Sequence, residues 1–285
     1  MAPLAQLLGP AIDLERVEQT GSTNADLLER ARQRALARPL LRTARRQTQG
    51  RGRRGRRWHG ADTGALLFSL ALPWQRAVAE TAAVTLACGL AVAQLLEPEC
   101  AAHGATVRVK WPNDLLLGAG KLAGLLVELA EDGDGGRTLI IGMGLNLATD
   151  AAQLVRIGAE ATGQAAADKP AALGVAALAD ALGPAVIAQA DAWLGRCALA
   201  LLQAARRFER EGFAPLQPAF ERLCAYRNAT VQVRDALGAC TGGTLRGVDA
   251  GGRLLLEVDG RLCALDSGEL SVRVPVPAIA APVTP

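Results

Sequence analysis

Between residues 106 and 147 four β-forming runs follow one another with only turns between them: 106–111, 114–117, 121–130 and 137–147. The gaps hold turn formers: Pro112-Asn113, Gly118-Ala119-Gly120 and the stretch from Gly133 to Gly136. Such close succession predicts one sheet rather than alternating strand–helix units. The last run contains Gly142-Met143-Gly144 but neither the further glycine nor the helix opening of a dinucleotide-binding turn, which excludes that fold. Upstream, the spacing predicts a helix over 24–37, a strand at 40–45, a buried strand over 64–72 (GALLFSLAL) and a long Ala-rich helix over 77–102. Downstream, 151–168 reads as a loop, 171–211 as helix broken near Gly183-Pro184, and 215–223 as a further helix.

After Asn228 the texture changes. TVQVRD, GTLRGVD, RLLLEVD, RLCALD and LSVRV are short alternating runs separated by Gly and Asp, the pattern of a small antiparallel barrel. The fold class expected is therefore α+β: a mixed β-sheet with helices packed on one side, followed by a small all-β domain. The divisions expected are 1–226, 227–275 and a Pro- and Ala-rich disordered tail at 276–285.

Composition narrows the function. Half of the 285 residues are hydrophobic, enough for a sizeable core. The net charge is only +3, yet Arg42 to Arg57 holds eight arginines and no acid, leaving 23 basic against 28 acidic residues elsewhere. Positive charge concentrated in one place points to an anionic ligand. Aromatics are 3%, too few for binding single-stranded nucleic acid by stacking. Six cysteines without a C-x-x-C pair, and only His59 and His103, make a zinc site improbable. The N-terminus lacks a signal-peptide pattern, and the longest apolar run, Ala82 to Leu96, is short for a membrane span. A reducing, cytoplasmic setting with no membrane association is expected.

Five segments carry candidate chemistry. Gln47 to Trp58 interleaves Gly50, Gly52 and Gly55 with Arg51, Arg53, Arg54, Arg56 and Arg57, offering guanidinium donors and close backbone approach to phosphate or carboxylate. Lys110-Trp111-Pro112-Asn113-Asp114 puts an amide and a carboxylate in a turn, able to hold Mg²⁺ or orient an amine, although Pro-Asn-Asp is also ordinary turn chemistry. Gly120 to Glu128 (GKLAGLLVE) opens an apolar strand with Lys121, one of three lysines, and carries Gly124 in mid-strand. Gly142 and Gly144 share one strand face and make a smooth floor for a flat ligand. Gly21-Ser22-Thr23-Asn24 reads as a helix N-cap with polar groups to spare.

Together and in this order, GRGRRGRRW, KWPND and GKLAGLLVE closely resemble the biotin protein ligases, also called biotin–[acetyl-CoA-carboxylase] ligases. The resemblance is strong over about 20–147 and continues more weakly through Phe208-Glu209-Arg210-Glu211-Gly212 into the β domain. It implies the biotin/lipoate ligase-like catalytic fold with an SH3-like C-terminal barrel. It also implies a two-step reaction with ATP, biotin and Mg²⁺: biotin carboxylate attacks the α-phosphate, giving biotinoyl-5′-AMP, and a lysine of a biotin carboxyl carrier protein then displaces AMP. On this resemblance Ser22, Thr23 and Asn24 contact the ureido ring, and Gln47, Arg51, Gly52, Arg53, Gly124, Leu126, Gly142 and Gly144 complete the biotin site with Lys121. Arg51, Arg53, Arg54, Arg56, Trp58, Asn113, Lys121 and Asn146 take the adenylate, Lys121, Arg53 and Asp114 act in catalysis, and Asp114 holds Mg²⁺.

Two features depart from the family pattern. Ser22 lies too near the start for the N-terminal DNA-binding domain of some members, so no DNA partner is expected. Residues 148–170 contain no aromatic to stack on adenine. A lipoate or octanoate ligase of the same superfamily would leave Ser22-Thr23-Asn24 and Gln47 unexplained. A nucleic-acid-binding protein using 42–57 would have to work from an otherwise net acidic surface.

Overall fold

A computed structural model describes residues 3–60, 64–76, 80–131, 135–150, 153–154, 173–234, 239–265 and 271–273. The first layer is a seven-stranded sheet: β1 (Asp13–Thr20), β2 (Leu40–Gln47), β3 (Ala65–Trp74), β4 (Val107–Lys110), β5 (Asp114–Leu117), β6 (Gly120–Glu131) and β7 (Arg137–Asn146), in the order β1-β2-β3-β7-β6-β5-β4. β1 runs parallel to β2, and every other pairing is antiparallel, so the sheet is mixed. The turn-rich gaps after residue 106 deliver β4 to β7 as sequential antiparallel neighbours, because two- to six-residue connections can close only such pairs.

The helices are α1 (Leu4–Leu8), α2 (Thr23–Gln33), α3 (Thr81–Ala102), α4 (Ala179–Leu182), α5 (Ala185–Ala188), α6 (Ala190–Glu211) and α7 (Gln217–Leu223). The long α3 and α6 pack on one sheet face, where Leu70, Leu86, Leu90, Leu115, Ile141 and Leu201 belong to one cluster with almost no exposed surface. α2 covers the other face: Leu27, Leu28 and Ala31 pack against Leu40, Ala71 and Ile140, the alternate residues of β2, β3 and β7. Both faces of the central strands are thus covered, which is why β3 and β7 read as continuous apolar runs. The segment Ala83–Ala102 within α3 is apolar and long enough to cross a membrane, but 67% of it is buried inside the fold, as in a core helix.

Two elements have no counterpart in the sequence reading. α1 is one turn long, and β1 is an edge strand whose residues DLERVEQT are exposed or half-exposed, so it shows no apolar alternation. The predicted break near Gly183-Pro184 is present: Gly183 takes φ +80° between α4 and α5. Most of the loop expected at 151–168, and the tail expected at 276–285, lie outside the described residues.

The second sheet contains β8 (Thr230–Arg234), β9 (Cys240–Val248), β10 (Leu254–Val258), β11 (Arg261–Leu265) and β12 (Ser271–Arg273), all antiparallel, in the order β11-β10-β9-β8-β12. It is not an isolated unit. Val231, Val233, Leu245, Leu254 and Leu256 join the same buried cluster as α3 and α6. Ala225 N–H donates to the Val109 carbonyl at 2.9 Å, and the Trp111 indole N–H donates to the Gly252 carbonyl at 3.1 Å. The second sheet therefore buttresses the turn between β4 and β5.

Candidate functional site

The site lies where β6 and β7 meet the start of α2 and the loop after β2. Ser22 is the N-cap of α2, and its Oγ accepts from the Ala25 N–H at 3.4 Å. Thr23 and Asn24 are then free to turn inward, and all three residues are buried. The Thr23 N–H and hydroxyl both donate to Gln47 Oε1, at 2.7 and 3.1 Å, and the same hydroxyl lies 2.8 Å from Ser69 Oγ. One oxygen of Gln47 thus anchors the helix start to the end of β2.

The Gly/Arg segment folds back on itself. Trp58 N–H donates to the Gly50 carbonyl at 2.9 Å, Gly52 N–H to the Arg56 carbonyl at 2.7 Å, and Arg51 bridges Arg57 across a short 3₁₀ turn at Arg53–Gly55. This closure brings the Trp58 indole down on the glycine face of β6 and β7. A Cβ on Gly144 would stand 2.2 Å from the ring and one on Gly124 3.1 Å from it. The floor expected to receive a flat ligand therefore carries the protein's own indole, and glycine is required there by close approach.

β4 and β5 form a hairpin in which Lys110 pairs with Asp114. Asn113 does not face the cavity with a free amide: its Nδ2 donates to the Leu125 carbonyl at 3.0 Å and stitches the turn to β6. Asp114 Oδ1 lies 2.6 Å from Lys121 Nζ, and Oδ2 lies 3.7 Å from Lys110 Nζ. Burial pushes the Asp114 carboxyl up, but Lys121, Lys110 and Arg56 outweigh it and hold the group below its ordinary value. Burial pushes the Lys110 ammonium down; Asp114 opposes this, and the charges of Lys121 and Arg56 add to it. Lys121 Nζ also sits 5.4 Å from the centre of the Trp58 ring, a cation–π distance.

These groups enclose a cavity of about 140 Å³. Of the residues expected from sequence, it is lined by Ser22, Thr23, Asn24, Gln47, Arg51, Gly52, Arg53, Arg56, Trp58, Asn113, Asp114, Lys121, Gly124, Leu126, Gly142 and Gly144. Asn146 stands apart. Its Nδ2 donates to the carbonyls of Lys121 and Ala176, and its Oδ1 accepts from Gln153, so it ties β7 to the segment before α4. The Arg54 side chain lies outside the described residues. The Asp114 carboxylate faces two ammoniums, and no group of three His, Cys, Asp or Glu residues occurs among the described residues.

Sequence reasoning passed over Ser69, and it placed Lys110 and Glu128 in candidate segments without giving either a role. Ser69 had a signal, a lone hydroxyl in the otherwise apolar β3. Glu128 accepts from Asn24 Nδ2 at 2.6 Å and from Arg51 Nη2 at 3.2 Å, a role set by the sheet register rather than by neighbours in sequence.

Residues 16–146, which carry the polar helix start, the cationic cluster and the glycine-backed slot, match the family model described as the biotin/lipoate A/B protein ligase family. Two curated relatives bear the name biotin–[acetyl-CoA-carboxylase] ligase. That of Paracoccus denitrificans is 32% identical over 239 residues, covering 84% of this chain and 92% of the relative. That of Mycobacterium tuberculosis is 39% identical over 135 residues, 47% of this chain, and the match spans about half (49%) of the relative's length. A biotin protein ligase from Aquifex aeolicus, solved with biotin and ATP, shares the fold with a TM-score of 0.66 at 21% identity, covering 92% of this chain and 99% of that one. The chain belongs to the biotin protein ligase family.

Proposed function

We propose that this protein activates biotin with ATP, forming biotinoyl-5′-AMP and pyrophosphate, and transfers the biotinoyl group to a lysine of a biotin carboxyl carrier protein of the acetyl-CoA carboxylase type. The observation that carries the reading is the pairing, in one cavity, of a neutral polar end at Ser22, Thr23, Asn24 and Gln47 with a cationic end at Arg51, Arg53, Arg56 and Lys121. Biotin has the matching polarity: a neutral ureido ring, an apolar chain and a terminal carboxylate.

In this reading Lys121 draws the carboxylate in and stabilises the negative charge that builds as its oxygen attacks the α-phosphorus. Arg53 and Arg56 neutralise the phosphate oxygens, and pyrophosphate leaves. The acceptor lysine, as a neutral amine, then attacks the acyl carbon; AMP departs with the bonding electrons, and the nitrogen gives up one proton to solvent as the amide forms. Mg²⁺ belongs with the ATP phosphates as part of the substrate. Asp114 orients the Lys121 ammonium rather than holding metal. We assign 1–226 to the catalytic domain and 227–275 to a small β domain that supports the Lys110–Asp114 turn. A cytoplasmic setting, with no DNA or membrane partner, goes with this assignment.

The test is incubation with biotin, Mg-ATP and a carrier domain, read by mass spectrometry. A gain of one biotinoyl group on the carrier, with biotinoyl-AMP held by the enzyme when carrier is omitted, is expected. Octanoylation or lipoylation of a lipoyl domain in its place would refute the reading.

A further inference from the structure

Asn24 is 3% exposed, and its amide is polarised by what surrounds it. Nδ2 donates to Glu128 Oε2 at 2.6 Å and reaches the Leu126 carbonyl at 3.5 Å. Oδ1 is buried and has no hydrogen-bond partner in the protein. It faces β7 at Gly142, where a Cβ would come within 2.5 Å of it. A buried carbonyl oxygen left without a donor has lost its hydration with no bond in return. Asn24 and Gly142 both line the cavity, so a ligand N–H can supply the missing donor.

The amide has only one stable orientation. Turned over, it would set Oδ1 against the Glu128 carboxylate and the Leu126 carbonyl, three acceptors together without a proton. The second oxygen of Glu128 accepts from Arg51 Nη2 at 3.2 Å, in the Gly/Arg loop. One carboxylate on β6 therefore fixes the acceptor on α2 and tethers the loop that closes the cavity.

We propose that Glu128 is a positioning residue for biotin: it holds the Asn24 amide so that Oδ1 accepts a ureido N–H, and it ties that contact to Arg51. The inference rests on the biotin reading above. Glu128→Ala leaves the amide free to turn and the loop untethered. Biotin affinity should fall about 10- to 100-fold, the range of a hydrogen bond involving a charged group. Glu128→Gln keeps the length and one acceptor oxygen, so it should stay within about 5-fold of wild type.

The experiment measures biotin binding by calorimetry, biotin KM and kcat at saturating ATP, and melting temperature for wild type and both variants. A raised biotin Kd and KM in Glu128→Ala, with kcat at saturating biotin and melting temperature largely kept and with recovery in Glu128→Gln, is the expected pattern. Biotin binding by Glu128→Ala within 2-fold of wild type overturns the proposal while the biotin reading stands. Equal losses of kcat and melting temperature in both variants with biotin KM unchanged also overturn it. A wild-type protein that binds no biotin removes the reading and the proposal together.

Discussion

Replacing Lys121 with methionine keeps the stem and removes the charge that the cavity is arranged around. Lys121 Nζ is 2.6 Å from Asp114 Oδ1, and the lysine side chain is 32% exposed against 15% for the carboxylate. Breaking a fully buried pair costs about 3–5 kcal/mol. Here partial exposure screens the pair and Lys110 remains 3.7 Å from the other oxygen, so the stability loss should be about 1–2 kcal/mol, a few degrees in melting temperature. The loss in chemistry should be larger. An ammonium facing a developing anionic transition state contributes roughly 2–4 kcal/mol, so pyrophosphate release should slow about 30- to 1000-fold. Chemically synthesised biotinoyl-AMP bypasses adenylation, and with it the variant should recover much of its transfer to a carrier domain. The variant has a second signature in pH. The Asp114 carboxyl sits below its ordinary value because Lys121 and Lys110 outweigh burial. Its stabilisation is therefore present above the unfolded value and lost as pH falls through the folded one. Without Lys121 the folded value rises, and acid unfolding should begin at higher pH than in wild type. Normal biotin affinity together with a normal pyrophosphate-release rate would remove Lys121 from the site.

Gly144→Ala places a methyl 2.2 Å from the Trp58 ring, so the indole must move; tryptophan fluorescence should shift and stability fall by about 1–3 kcal/mol, and an unchanged spectrum would refute the packing. Trp111→Phe removes the hydrogen bond to the Gly252 carbonyl and should cost about 1–2 kcal/mol by denaturant unfolding. Burial pushes the thiols of Cys88, Cys197 and Cys224 up to about 12, whereas Cys240 and Cys263 are exposed, so a thiol reagent at pH 8 should label two cysteines rapidly in the native protein and all six after denaturation.

The sheet from β4 to β7 was legible because its short turn-rich gaps permit little else, and β3 because the largely apolar run 65–72, bounded by Gly64 and Pro73, has few alternatives. β1 was not, since an edge strand with half-exposed charges carries no period. The placing of α2 opposite α3 and α6 was equally hidden. Leu40 and Leu41, or Ile140 and Ile141, look alike in sequence, and only the finished sheet sends one of each pair to either face. At the site, individual residue types were legible and their partners were not. Gly124 marked a close approach and Gly142 with Gly144 a floor for a flat ligand, but that the Trp58 indole lies there depends on how the loop after β2 closes.

The basic run shows most clearly where composition stops being informative. From Arg42 to Arg57 it reads as one patch of charge, yet the fold divides it. Arg42 lies on β2 and is held by Asp26 at 2.7 Å and Glu15 at 2.8 Å, on the sheet flank beside α2. Although burial pushes the Arg42 guanidinium down, these two carboxylates hold it above its ordinary value, so its charge is spent within the protein. Arg45, on the same strand, lies 3.8 Å from Glu18 across the exposed β1 edge. Arg51, Arg53, Arg56 and Arg57, past the end of β2, reach the cavity. What separates the two groups is the acid supply. β1 and α2 bring Glu15, Glu18 and Asp26 alongside β2, whereas the cavity group meets Glu128, which takes Arg51 at 3.2 Å, and Asp114, which faces two lysines. The cavity lining therefore counts more basic than acidic side chains: Arg51, Arg53, Arg56, Arg57, Lys110 and Lys121 against Asp114, with Glu128 beside it. A carboxylate meeting a triphosphate brings the charge that such a surplus is suited to balance.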